Sequence, residues 1–398
     1  MLRRNMATRF NKPEAKVRRV PAGTPKVVKP HRPEHERTVL VLQGGGALGA
    51  YQAGVYEALH EANIAPDWVT GVSIGAINAA LIVGNRPENR IGRLREFWDR
   101  VSSGIPLAVP APIDWIRVLF NRWSASAAMA FGVPGFFSPR FPSPLFARRG
   151  DVGALSLYDT SPLLDTLRDL VDFDVINARD VRISVGAVDV RKGNSFYFDT
   201  DDPKLAFGPA HVMASGALPP GLPPIAINGV SYWDGGLVSN TPLWYVLDAC
   251  GLQSALVIQI DLFSAHGKMP RDLDEVLERA KDIQYSSKTR FNTSRAKEEE
   301  ALRQALQNVI AKLPARLRSD KDVQILRERA RHRHISIVHL INRHSDFATE
   351  SKDYEFSRAT IRALWAAGHA DMRRTMASAD WRSACSAGRG MRTFDLTQ

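Results

Sequence analysis

Short apolar runs alternate along this chain with stretches of helical period, and glycine or proline marks most of the joins. Thr38-Val39-Leu40-Val41-Leu42-Gln43 is apolar and β-branched, which predicts a buried strand. Helical periodicity follows over 50–61. Trp68-Val69-Thr70 predicts a second strand, with a helix after it at 76–82. Further on, the pattern predicts helices over 91–101, 161–171, 211–217 and 243–249. It predicts strands over 180–190, 225–230 and 255–261, with 195–199 as a hairpin partner of the first of these. Residues 271–318 are charged and helical, with turns near Ser319-Asp320. Residues 335–341 read as the last strand, and a final helix starts at 353–357 and runs through His369. The last 20 or so residues read as loosely ordered, and no internal repeat is visible.

Three of the joins carry chemistry. Gly71-Val72-Ser73-Ile74-Gly75 places a serine on a sharp turn between a strand and a helix, the pattern of a nucleophile elbow. The glycines let strand and helix approach closely, and the helix N-terminus favours developing negative charge beside Ser73. Gly44-Gly45-Gly46-Ala47-Leu48-Gly49 follows the first strand directly. Gly44, Gly46 and Gly49 fit a dinucleotide fingerprint, with Asp67 as the ribose acid, but Asp67 falls at the start of its strand, on the wrong sheet edge. The alternative is an oxyanion hole, in which glycine N–H groups converge on the carbonyl that Ser73 attacks. The third join is Tyr232-Trp233-Asp234-Gly235-Gly236. It reads as a glycine-supported loop after the 225–230 strand. Asp234 is either a turn former or a base for Ser73, ionised at the ordinary aspartate pKa of about 3.9. Small residues Ala214, Ser215, Gly216 and Ala217 suggest tight packing near this site.

Composition changes the picture in two places. Of the chain's net charge of +11, +8 lies in residues 1–37, so the excess belongs to a proline-containing tail that reads as disordered. Segment 105–146 is rich in proline and aromatic residues and holds one acid, Asp114; it reads as helical over 113–120 and then irregular. It is a candidate lid or acyl-chain pocket, or else an inserted subdomain packed on the core. The tail and this segment are the two candidate contacts with a membrane surface. Nothing in the composition calls for a nucleic-acid partner or sets an oligomeric state. Cys250 and Cys385 form no disulfide framework or metal spacing, and no apolar core follows the basic N-terminus, so a cytoplasmic setting is expected. The charge-free run 68–84 reads as a buried turn and helix.

With the Gly44–Gly49 loop, the Gly71–Gly75 elbow and Asp234-Gly235-Gly236 in this order, the chain resembles the patatin-like phospholipases, of the bacterial type with a helical C-terminal addition. The resemblance implies an α/β class, a three-layer α/β/α fold with a mostly parallel central sheet. It also implies a Ser73–Asp234 dyad without histidine and hydrolysis of acyl esters of lipids. It implies a catalytic unit over 38–262 with the 105–150 insertion, and a helical extension over 263–375. Ser73 would be the nucleophile and Asp234 the proton acceptor. Gly44, Gly45 and Gly46, with the Ile74 N–H, would hold the oxyanion, and neither metal nor cofactor is called for. The family often carries Arg or Lys where this chain has Leu48. Three other readings compete: an α/β-hydrolase triad of Ser73, Asp261 and His344, an intracellular polyester depolymerase, and a lipid-binding scaffold without catalysis.

Overall fold

Val39 and Val41 face one side of the first strand, Leu40 and Leu42 the other, and all four are buried. A strand that is apolar on both faces needs cover on both. A computed structural model of the chain describes residues 34–104, 114–250, 254–287, 289–317, 319–331, 334–343, 352–386 and 390–395, and it supplies that cover. The tail up to residue 33, the start of the expected insertion at 105–113, and His344 lie outside the described residues.

Among the described residues nine strands form one sheet. They are β1 (Arg37–Leu42), β2 (Trp68–Val72), β3 (Arg182–Asp189), β4 (Ser195–Asp199), β5 (Ile225–Ile227), β6 (Val230–Asp234), β7 (Ala255–Asp261), β8 (Ile335–Ile341) and β9 (Met391–Asp395). Their order is β9-β8-β7-β1-β2-β3-β6-β5, with β4 beside β3. From β9 to β3 the neighbours are parallel, and β4, β5 and β6 join antiparallel.

The helices are α1 (Ala50–Glu61), α2 (Ile74–Val83), α3 (Arg90–Val101), α4 (Asp114–Phe131), α5 (Ser161–Leu170), α6 (Phe173–Ala178), α7 (Pro209–Ser215), α8 (Leu243–Ala249), α9 (Leu273–Tyr285), α10 (Thr289–Ala311), α11 (Lys321–Arg329), α12 (Arg358–Ala377) and α13 (Ala379–Cys385). The core on the Leu40 and Leu42 face takes in α1, α2 and α12. Helices α1 and α12 cross so closely that a Cβ on Gly54 would lie 1.9 Å from the Trp365 carbonyl oxygen. On the opposite face, α8 packs Leu243, Val246 and Leu247 against Val39, Val41 and Val257. The result is the three-layer α/β/α arrangement.

Three elements differ from the sequence reading. Helix α4 continues to Phe131 instead of ending near Phe120. Ser124-Ala125-Ser126-Ala127-Ala128 gives little apolar signal, but alanine is a strong helix former. The 225–230 strand is half of a hairpin: Asn228 (φ 50°) and Gly229 (φ 80°) turn the chain, so Asp234 ends strand β6 instead of sitting in a loop. Asn-Gly is the residue pair that such a turn favours. Ala379–Cys385 and Met391–Asp395, expected to be loosely ordered, form a helix and a strand. Trp381 and Cys385 of α13 are fully buried, and β9 extends the sheet beside β8, so β8 is not the last strand.

Candidate active site

Parallel strands deliver their C-terminal ends to one sheet edge, and there β1 and β2 release the glycine loop and the elbow. Ser73 follows β2 with φ 56° and ψ −123°, a region that L side chains seldom occupy. The turn is too tight for side chains at its flanking glycines. A Cβ on Gly71 would lie 2.3 Å from the Gly75 carbonyl oxygen, and one on Gly75 2.3 Å from that of Leu42. The Ser73 N–H donates to Ser215, with 3.1 Å to Oγ and 3.2 Å to the carbonyl oxygen. Ser215 Oγ in turn donates to the Gly186 carbonyl at 2.6 Å. The small residues closing α7 therefore brace the elbow.

Strand register brings Asp234 to Ser73. Strand β2 ends along β3 with Val72 opposite Gly186. Strand β6 runs the other way and ends with Asp234 opposite Ala187. The two strands meet tip to tip on β3. Gly235 fits the join, since a Cβ there would lie 2.6 Å from the Gly186 carbonyl oxygen and 3.1 Å from Val72 Cγ1. Asp234 is 2% exposed. Its carboxylate accepts the Gly236 N–H at 2.7 Å and borders the same cavity as Ser73. Burial pushes this carboxyl up to about 7, although the Gly236 N–H and the neighbouring Ser73 hydroxyl favour the ionised form. That corrects the expectation of an ordinary aspartate. The sequence shows an Asp-Gly-Gly but not that the carboxyl ends a strand inside the fold.

The glycine loop borders the same space. A Cβ on Gly44 would lie 3.1 Å from Ser73 Cβ and 2.4 Å from Asn240 Oδ1. The Gly44 N–H donates to the Asn240 carbonyl at 3.2 Å, so it is not one of the open donors expected here. The amides of Gly45, Gly46 and Ile74 have no acceptor among the described residues. Gly46 has φ 54°, and a Cβ there would lie 2.2 Å from the Asp353 carbonyl oxygen. Gly49 touches Ile74 in the same way, at 2.6 Å from Cγ1. Leu48 is buried in the core behind this loop. The space above Ser73 and Asp234 is a cavity of about 40 Å³, also bordered by Leu218, Phe263, Tyr285 and Asp353.

Two positioning side chains escaped the sequence reading. Gln43, fully buried at the end of β1, donates to Thr241 Oγ1 (2.8 Å) and the Tyr285 carbonyl (3.0 Å), and accepts the N–H groups of Leu262 (2.6 Å) and Phe263 (2.9 Å). Asn240 Nδ2 donates to the carbonyls of Gly44 (3.1 Å) and Tyr285 (3.0 Å). The readable signal was Gln43 itself: an amide that closes an apolar buried strand must find partners. Nothing comparable marks Tyr285.

The competing readings place their residues elsewhere. Asp67 accepts the Thr38 N–H at 2.7 Å, where β1 and β2 begin, on the edge away from the glycine loop. Asp261 accepts Gln259 Nε2 at 2.9 and 2.8 Å and Ser287 Oγ at 2.9 Å. Ser73 meets Asp234, not Asp261.

Comparison with known proteins agrees with this fold. A family model described as patatin-like phospholipase matches residues 40–247, and one described as patatin phospholipase matches 283–387. A patatin-like phospholipase domain-containing protein of Chaetomium globosum is 35% identical over 92 residues, 23% of this chain and 10% of that protein. Lysophospholipase nte1 of Aspergillus terreus is 46% identical over 65 residues, 16% of this chain and 4% of its own. Triacylglycerol lipase ptl3 of Schizosaccharomyces pombe is 37% identical over 89 residues, 21% of this chain and 18% of its own. The matched stretch thus spans about a tenth of the first of these relatives. Among solved structures, VipD from Legionella pneumophila aligns over 87% of this chain and 67% of its own, with a TM-score of 0.39 and 15% identity. Because the first family model spans more than half of the 398 residues, the chain belongs to the patatin-like phospholipase family.

Proposed function

We propose that this chain hydrolyses acyl esters of lipids, with Ser73 as nucleophile and Asp234 as its base. The observation that carries the reading is geometric: β2 and β6 end side by side on β3, so Ser73 and the buried carboxyl of Asp234 border one small cavity. Ser73 Oγ attacks the ester carbonyl carbon while Asp234 takes the hydroxyl proton. The carbonyl oxygen, now negative, accepts the open amides of Gly45, Gly46 and Ile74. Collapse of this intermediate breaks the bond to the alcohol, which leaves with the proton from Asp234. Water then attacks the acyl-serine, Asp234 takes its proton, and the fatty acid departs as Ser73 recovers its hydrogen.

The candidate space for the acyl chain is a second, apolar cavity that shares no lining residue with the one at Ser73. A cavity of about 280 Å³ is lined by Val101, Ala128, Phe131, Val133, Phe137 and Phe356. It is near the lower end of ligand-binding pockets. The 40 Å³ above Ser73 is little more than the share of one water in the liquid, about 30 Å³. The names of the nte1 and ptl3 relatives support lipid esters as the substrate class. Among the described residues no helix is long and apolar enough to cross a membrane.

The test is release of fatty acid from phospholipid, lysophospholipid and triacylglycerol by the wild type and by Ser73→Ala. Release from one of them that disappears in Ser73→Ala supports the reading. Equal release by both proteins overturns it.

A further inference from the structure

Between the end of α4 and the start of α5, Val133, Phe136 and Phe137 pack into the core, while other large apolar side chains of the stretch face solvent. Phe131 is 83% exposed, Phe141 99%, Leu145 89% and Phe146 84%. A lone exposed leucine needs no explanation, but a group of such tips on one excursion marks an interaction surface. Arg148 and Arg149 follow immediately and are exposed as well. From 114 to 150 the sequence holds five arginines against one acid, Asp114. Apolar tips flanked by cations complement one kind of surface in particular: acyl chains under anionic headgroups.

This excursion is joined to the site. The Leu157 N–H donates to the Pro220 carbonyl at 3.1 Å and the Tyr158 N–H to the Gly221 carbonyl at 2.9 Å. Leu218, in the same loop, borders the Ser73 cavity.

We infer that residues 141–149 form a docking surface for an anionic lipid surface. Phe141, Leu145 and Phe146 enter the acyl region, and Arg148 and Arg149 meet the headgroup phosphates. The inference rests on the hydrolase reading for its purpose but is measured without catalysis. Each arginine near an anionic surface contributes roughly fivefold to binding, and each buried apolar tip a comparable factor or more.

The experiment is vesicle flotation of the full chain. It compares phosphatidylcholine vesicles with vesicles that also contain phosphatidylglycerol. Wild type is compared with Phe141→Ser/Leu145→Ser/Phe146→Ser and with Arg148→Glu/Arg149→Glu. The basic tail is present in all three proteins, so a difference between them belongs to the excursion. The expected result is binding to the anionic vesicles that salt weakens, reduced about tenfold or more in each variant. Hydrolysis of a soluble short-chain ester stays at the wild-type rate in both, which also shows that they fold. Equal binding by wild type and variants overturns the inference, as does wild type that floats with neither vesicle. If wild type cleaves the soluble ester but does not bind vesicles, docking falls and the hydrolase reading stands. If it binds through these residues but cleaves nothing, docking stands and the hydrolase reading falls.

Discussion

Asp234 carries opposing demands at the tip of β6. As a base it must be ionised, yet burial holds its carboxyl at about 7. Turnover of a soluble ester should therefore rise with pH through about 7 and level off above it; a profile already flat from pH 5 would mean an ordinary carboxylate. The same shift has a cost in stability. The folded chain keeps this proton up to about pH 7, whereas the unfolded chain releases it near 3.9. Stability therefore falls as pH rises between those values. Asp234→Asn removes the titration, so it should melt above the wild type at pH 8, by an amount on the order of 2–4 kcal/mol. The difference should vanish below pH 4. It should also lose about 10³-fold or more in activity. A variant less stable than wild type at pH 8 would refute the burial account. Gly75→Ala makes the opposite contrast. Its Cβ would meet the Leu42 carbonyl oxygen at 2.3 Å, and denaturant unfolding should show a loss of roughly 1–3 kcal/mol.

At the scale of elements, α9 has its faces reversed. Glu278, Lys281 and Asp282 bind the 352–354 turn: Lys281 meets Asp353 at 2.5 Å, and Lys352 meets Glu278 at 3.1 Å and Asp282 at 2.6 Å. Leu273, Val276, Leu277 and Ile283 are exposed. Tyr285 ends the helix at the cavity, and Asp353 borders it too, so the ion pairs fasten two walls of the site. Lys352→Ala should loosen them and speed modification of Ser73 by a small fluorophosphonate severalfold. An unchanged rate would mean that this latch does not govern access. The glycine-marked joins were legible in the sequence because Gly71, Gly75 and Gly46 sit where a Cβ would strike a carbonyl. The Asn228-Gly229 turn was equally legible in principle, but the short 225–227 strand hid the hairpin. What could not be read was pairing: the Gly44 amide is taken by the Asn240 carbonyl, 196 residues away in sequence. The raised Asp234 carboxyl follows from the same long-range packing.

In the whole molecule, the two ends of the chain build one sheet. Strand β1 lies between β2 and β7, and β8 and β9 extend the β7 side. Helix α12 packs against α1 through Gly54 and Gly368, where either Cβ would strike the other backbone at about 2 Å. The final helix and strand looked loose in the sequence because they are short and carry Arg382, Arg392 and Thr393. Burial of Trp381 shows otherwise. Trp381→Ala should cost about 3–5 kcal/mol in urea unfolding, and a loss below 1 kcal/mol would mean this end contributes little. The central claim is that Ser73 is activated by Asp234 and not by a histidine. Fluorophosphonate labelling followed by peptide mapping tests it most directly, in wild type, Asp234→Asn and His344→Ala. The account predicts a label on the Ser73 peptide in wild type and His344→Ala, and none in Asp234→Asn. A label that survives in Asp234→Asn and disappears in a folded His344→Ala would contradict it.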